Sequence, residues 1–251
     1  NKSKVTDVQK VGNVVIHTIE GSIPPVGVEV TGIIDDDRRS SLSRHHTATH
    51  LIGAAAREIL GPHVWQAGAS KSVDRARLDI THHRRLTREI IESIESRVNS
   101  LVLEDHLVNT QFYTREEADK KYGNILYQGG APKYREVRVV EIPNVDAQAC
   151  AGTHVFSTSK IIAVKVLRTE RIQDGVERIE FSAGPAALKA AQKERELLEK
   201  TAEELGVPID QAPLAANKFV NEWKELRSKV SSLEKELATF KSSNVEFEKV
   251  G

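Results

Sequence analysis

The spacing of apolar positions changes along the chain, and each spacing predicts a different element. NVVIHTI (13–19) is a β-branched run, and apolar residues alternate in VGVEVTGII (26–34) at Val26, Val28 and Val30. Both predict strands, with GSIPP (21–25) as the turn or loop between them. DDDRRSS (35–41) supplies helix N-cap chemistry, and a helix is expected from Leu42 to Leu60, stopped by GPH (61–63). SVDRARLDIT (72–81) reads as a strand. Leu86, Ile90, Ile94, Val98 and Leu101 make one stripe of a long amphipathic helix. REVRVVEI (135–142), KIIAVKVLRTERI (160–172) and VERIEFSAG (176–184) read as further strands. Helix and strand interleave irregularly, so the expected fold class is α+β rather than a doubly wound sheet.

From Pro185 the pattern is purely helical. Leu188, Ala191, Arg195, Leu198, Ala202 and Leu205 step by three and four, and GVPIDQAP (206–213) breaks the run. Phe219, Trp223, Leu226, Val230, Leu233, Leu237 and Phe240 then repeat at four and three, the a/d spacing of a coiled coil. Two such helices on a short Pro/Gly linker suggest an antiparallel hairpin over 185–251. It serves either as a spacer or association arm, or simply packs on itself or its domain.

Charge and composition remove several function classes. Lys+Arg and Asp+Glu are both 36 in 251 residues, so a nucleic-acid role must rest on local patches. No apolar run approaches membrane length and no signal peptide opens the chain, so a cytoplasmic location is expected. One cysteine excludes an internal disulfide and fits a reducing compartment. The first residue is Asn and methionine is absent, which suggests a piece of a longer protein. There is no Walker A or dinucleotide glycine fingerprint.

The chemistry gathers in two stretches about a hundred residues apart. RHHTATHL (44–51) places His46 and His50 at i, i+4, one turn apart on one helix face. DAQACAGTH (146–154) places His154 four after Cys150, the glycine between them favouring a tight turn. One cysteine and three histidines are a tetrahedral N/S donor set that suits Zn²⁺. Four ligands argue for a structural ion and three for a catalytic one, and the spacing leaves both open. The bland alternative is a small buried Cys150 with locally paired histidines. His45 points about 100° away from His46 around a helix and is expected to face solvent or RNA. His82 and His83 are expected at the surface, and His17, His63 and His106 have no partner visible in the sequence.

RHHTATHL, WQAGAS, RLDIT, YQGGAP, VDAQACAGTH and ERIQDGVERIEFSAG together resemble, in order, the editing region of archaeal-type alanyl-tRNA synthetases, over about residues 26–185. The helical segment after Pro185 also resembles the one next in line in those synthetases. Free-standing alanyl-tRNA deacylases and the editing domain of threonyl-tRNA synthetase share the two histidine/cysteine patterns. The resemblance implies a partial β-barrel over 1–35, a zinc-containing editing domain over 36–184 and the helical hairpin over 185–251. It implies His46, His50, Cys150 and His154 as zinc ligands, and Gln66 and Thr49 as the residues acting at the editing pocket. Asp79 matches a recurrent acidic position of unassigned role. Ala151 and Ala69 depart from the family, where Gly or Ser and a hydroxyl residue are usual.

The implied reaction is hydrolysis of serine or glycine from alanine tRNA. A pocket built for alanine cannot exclude glycine by size and rejects an added hydroxyl poorly, so a second, hydrolytic site is needed. The implied partners are tRNA(Ala), the rest of the synthetase chain and, through a domain beyond residue 251, a second subunit. Candidate phosphate contacts are Arg38, Arg39, Arg44, Lys71, Arg75, Arg77, Arg84 and Arg85, each weighed against ordinary solvated charge. The other readings are a non-catalytic RNA-binding module with a structural zinc, and a free-standing alanyl-tRNA deacylase.

Overall fold

The computed structural model describes residues 2–12, 14–130 and 135–243. The chain divides into two units, residues 1–39 and 40–251. In the first, β1 (Lys4–Val11) and β2 (Val14–Glu20) form an antiparallel hairpin running from Lys4↔Glu20 to Val11↔Val14. The strand expected at 26–34 does not form. Gly27 has φ +88°, and the Val28 N–H donates to the Pro25 carbonyl at 3.4 Å. This turn takes the backbone out of an extended path, and Val26 stays fully exposed.

α1 spans Asp36–Leu60, six residues longer than the hydrophobic pattern indicates, because Asp35 Oδ1 accepts the Arg38 N–H at 3.0 Å and starts the helix early. The other elements are β3 (Gln66–Lys71), β4 (Ala76–Thr81), α2 (Arg88–Leu103), β5 (Asn109–Thr114), α3 (Arg115–Tyr122), β6 (Glu136–Ile142), β7 (Asp146–Ala149), β8 (Val164–Gln173), β9 (Val176–Ala183), α4 (Pro185–Glu204) and α5 (Ala212–Ser243). The α+β expectation holds. An antiparallel sheet of order β3-β4-β9-β8 carries the main core, and a second, β5-β6-β7, carries a smaller one.

The main core joins Ala48, Leu51, Ile52 and Ala55 of α1 to Leu78, Ile80, Ile179 and Phe181 of the sheet and to Ile94, Val98 and Leu101 of α2. Polar side chains on α2 cover the edge strand β8. Asn99 donates to the Val164 carbonyl at 2.8 Å and accepts its N–H at 2.9 Å, while Glu95 accepts the Val166 N–H at 2.6 Å. An edge strand covered in this way offers fewer free groups for stray pairing. The smaller core packs Ala118 and Leu126 on Val137 and Val139, with α3 started by a Thr114/Glu117 capping box.

α4 and α5 form where the repeats predict them, but their apolar stripes do not meet. The a/d residues of α5 remain between 51% (Trp223) and 65% (Phe240) exposed, and Leu188, Leu197 and Leu198 of α4 are exposed as well. The helices do not pack on one another along their length, and α4 instead packs on its domain at β8 and β9. Burial between the helices is confined to the connection, at Ala202 and Ala212. Residues 244–251 of the expected hairpin lie outside the described residues. No helix among the described residues is long and apolar enough to cross a membrane.

Candidate metal centre

The two distant stretches meet. α1 presents His46 and His50, and the loop after β7 presents Cys150 and His154. One ligand atom from each of the four lies within 4.8 Å of all the others. Cys150 Sγ is 3.3 Å from both His46 Nε2 and His154 Nε2. A tetrahedral ion with Zn–S near 2.3 Å and Zn–N near 2.0–2.1 Å would separate sulfur and nitrogen by about 3.5 Å. The donor set and its spacing therefore fit such an ion with small relaxation.

The loop is held by backbone chemistry. The Cys150 N–H donates to the Arg138 carbonyl at 3.0 Å, and Arg138 Nη1 donates back to the carbonyls of Cys150 at 2.6 Å and Gly152 at 2.9 Å. Gly152 is required by space, because a Cβ there would overlap the His46 ring.

A second layer of residues orients these four side chains. Thr47 Oγ1 donates to the Ser43 carbonyl at 3.0 Å and accepts the Val155 N–H at 3.2 Å. It lies 3.0 Å from His154 Nδ1. With its own proton committed, this oxygen accepts from Nδ1–H, which leaves His154 Nε2 proton-free toward Cys150. His50 Nδ1 lies 3.4 Å from Asp146 Oδ2 but makes no aligned hydrogen bond, a buried nitrogen without a partner. An imidazole backed by a carboxylate is the usual arrangement of a metal ligand. Asp146 is fixed in turn by Gln148 Nε2 at 2.8 Å and Arg57 Nη1 at 3.6 Å.

The electrostatics favour ligation. Burial pushes the Cys150 thiol up, but the imidazoles of His154, His46 and His50 gathered around the sulfur outweigh it and bring it down to about 3, so the sulfur is a thiolate. Burial pushes His154 down to about 4, so it is neutral at pH 7. Burial also opposes charge on His50, yet Asp146 and Cys150 raise it above its ordinary value.

The other predicted residues divide into separate groups. Gln66, at the start of β3, donates its N–H to Gln128 Oε1 at 3.3 Å, and its Nε2 lies where a Cβ on Gly129 would be 3.3 Å away. The WQAGAS and YQGGAP segments thus meet, although Ala131 and Pro132 lie outside the described residues. Thr49 is 2% exposed, and its hydroxyl donates to the His45 carbonyl at 2.8 Å. Ala69 packs against the main core and Ala151 is exposed.

Asp79 holds sheet strands together, accepting Arg178 through both carboxylate oxygens at 2.7 and 2.9 Å and also pairing with Arg77. Arg44 donates to the Lys160 carbonyl at 3.1 Å, and Arg75 lies 3.9 Å from Glu180. Lys71 is half-buried, its ammonium held below its ordinary value by burial despite the nearby Cys150 thiolate. Arg38, Arg39, Arg84 and Arg85 are exposed.

The histidine expectations need two corrections. His45 is fully buried rather than facing solvent or RNA: its Nδ1 donates to the Ser41 carbonyl at 2.9 Å, and its Nε2 accepts the Ala183 N–H at 3.1 Å. His82 is buried too, at 7% exposure, while His83 is exposed as expected. His106 has a partner, Glu104, at 2.7 Å, and so does His63. Thr47, Asp146, Arg138 and Gln128 were not visible as functional in the sequence; Asp146, four residues before Cys150, was the one with a usable spacing signal.

Residues 137–180, from β6 to β9, match the family described as the threonyl and alanyl tRNA synthetase second additional domain. The alanine–tRNA ligase of Methanopyrus kandleri is 50% identical over 252 residues, covering 100% of this chain and 28% of that protein. That of Pyrococcus abyssi is 50% identical over 94% of this chain and 26% of its own length. That of Methanosphaera stadtmanae is 46% identical over 94% and 27%. The chain thus spans little more than a quarter of the length of the curated relatives it matches, and over that span it belongs to the alanine–tRNA ligase family.

Proposed function

We propose that this chain is the editing segment of an alanine–tRNA ligase, hydrolysing the ester that joins serine or glycine to tRNA(Ala). Its Zn²⁺ is held by His46, His50, Cys150 and His154. The observation that carries the reading is the convergence of these four side chains from stretches a hundred residues apart, with Thr47 and Asp146 orienting two of them. When bound, zinc supplies a Lewis-acidic anchor for the amino-acid end of the substrate. Gln66 orients the ester. Thr49 Oγ1, its proton committed to the His45 carbonyl, keeps lone pairs that accept from a serine hydroxyl, and alanine has nothing to offer them. The exposed Arg38, Arg39, Arg84 and Arg85 are the groups best placed among the named candidates to meet phosphates. The setting is the cytoplasm, as part of the longer synthetase, with a dimer formed through a domain beyond residue 251.

The four-donor set also favours a second reading, a non-catalytic RNA-binding module whose zinc only maintains the fold. Deacylation separates the two. Serine-charged and alanine-charged tRNA(Ala) are incubated with the chain and with its Cys150→Ala variant. Release of serine, sparing of alanine and an inactive variant are expected. A folded, metal-loaded chain that binds the tRNA and releases neither amino acid would leave the RNA-binding reading.

A further inference from the structure

We propose that His63, His82 and His83 form a second metal site that takes a divalent first-row cation of the zinc type through imidazole nitrogens alone. One ring nitrogen from each lies within 4.8 Å of the other two. His63 sits in the loop after α1, and His82 and His83 follow β4, so two separate segments supply the donors. No residue is shared with the first centre.

The site is held by its backbone. Thr81 Oγ1 donates to the His63 carbonyl at 2.6 Å and accepts the Trp65 N–H at 2.9 Å, and the Thr81 N–H donates to the Trp65 carbonyl at 2.9 Å. The His82 N–H donates to the Gly175 carbonyl at 2.9 Å. These bonds tie the His63 loop to the end of β4, and β4 to the β8–β9 turn. Ring centroids are 5.2 Å apart for His63–His82, 4.9 Å for His82–His83 and 5.5 Å for His63–His83.

His63 Nε2 and His82 Nδ1 are 2.9 Å apart and share one proton. Two imidazole nitrogens on a tetrahedral zinc stand about 3.3 Å apart, so a cation replaces that shared proton with a small outward movement of the rings. The proton moves to the far nitrogen of the ring that held it, and no other chemistry is required. Glu177 favours a cation beside His82 and Arg84 opposes it. Glu177 is itself paired with Arg171 at 2.7 Å, so the imidazoles must supply most of the affinity.

Three nitrogens without a thiolate suit zinc, nickel or copper rather than magnesium or calcium. Three protein ligands leave a coordination position open. His63 and His83 are exposed, so that position faces solvent and accepts an external ligand.

The test titrates Zn²⁺ into the metal-free chain against a chromophoric chelator. It compares the wild type, Cys150→Ala and the double variant His63→Gln/His83→Gln. Both residues of the double variant are exposed, and circular dichroism checks that the fold is kept. The double variant should bind one equivalent fewer than the wild type, while Cys150→Ala keeps that equivalent. Co²⁺ in Cys150→Ala should give d–d absorption that is lost when His63→Gln/His83→Gln is added to that variant. The comparison stands whether or not the first centre binds metal. A double variant that binds as many equivalents as the wild type, or a Cys150→Ala chain that binds none, overturns the proposal.

Discussion

Thr47 Oγ1 lies 3.0 Å from His154 Nδ1 and decides which of that ring's nitrogens is free for a metal. Thr47→Val keeps the shape and removes the acceptor. Zinc affinity should fall by about 10–100-fold, and stability by about 1–3 kcal/mol because the Val155 N–H loses its partner. Thr47→Ser should restore the affinity. Competition titrations on the three proteins check this, and unchanged affinity in Thr47→Val would remove Thr47 from the orienting role.

Gly152→Ala tests whether the loop can move. Its Cβ would overlap the His46 ring, so either the ring or the loop must shift. Because the constraint is contact with a ligand, the metal-free protein should melt close to the wild type, while zinc binds at least about tenfold more weakly. Thermal melts with and without zinc separate the two effects.

The Cys150 thiol should behave as a thiolate when no metal is present. An ordinary cysteine loses about tenfold in alkylation rate for each pH unit below about 8. With its value brought to about 3, Cys150 in the metal-free chain should alkylate at rates that barely change between about pH 5 and about pH 8. Stoichiometric zinc should suppress the reaction. Mass spectrometry after iodoacetamide treatment reads both, and a rate climbing tenfold per pH unit would show an ordinary thiol.

How much was legible in the sequence depends on how local each signal is. The four candidate ligands stood out because each pair lies within one turn or one loop, and the chain has one cysteine. The α5 stripe was equally local, but whether anything covers it is not a property of its spacing. His45 was misread because α1 is buried on nearly every side from Thr47 to Ala56, so the face opposite the ligands meets the sheet at Ala183 instead of water. The strand expected at Val26 failed because alternation says nothing about a partner strand. β3 was missed because QAGASK has neither strong alternation nor β-branched residues. The role of Asp79 could not be seen at all, since Arg178 lies 99 residues away.

Asp79 should make stability depend on acid. Burial pushes its carboxyl up, but Arg178 and Arg77 outweigh that and hold it below the ordinary carboxylate value. A depressed acid contributes stability that is full above its unfolded value, about 3.9, and is lost as pH falls through the folded one. Asp79→Asn should cost about 2 kcal/mol near neutrality, with the partial exposure of both arginines keeping the loss below that of a fully buried pair. The gap from the wild type should narrow as pH falls from about 5 to about 3. Urea unfolding across that range measures it, and a gap independent of pH would show that the carboxylate charge is not what matters.

His45 predicts a second pH dependence, in a higher window. Burial holds its imidazole below the ordinary histidine value, and the neutral ring satisfies both of its neighbours: Nδ1–H donates to Ser41, and Nε2 accepts from Ala183. Protonating Nε2 would turn an acceptor into a donor facing another donor. The unfolded chain, titrating near 6.5, therefore takes up a proton more readily than the folded chain. The stability His45 contributes is full above about 6.5 and declines as pH falls below that toward the folded-state value. His45→Gln removes the titration and leaves the Ala183 N–H without its imidazole acceptor, which should cost about 2 kcal/mol at about pH 8. The gap between wild type and variant should shrink on lowering the pH to about 5.5. Unfolding of the zinc-loaded proteins, in which the ligand histidines are held by metal, isolates the effect of His45. A gap that widens toward acid would mean that the buried ring is charged in the folded protein.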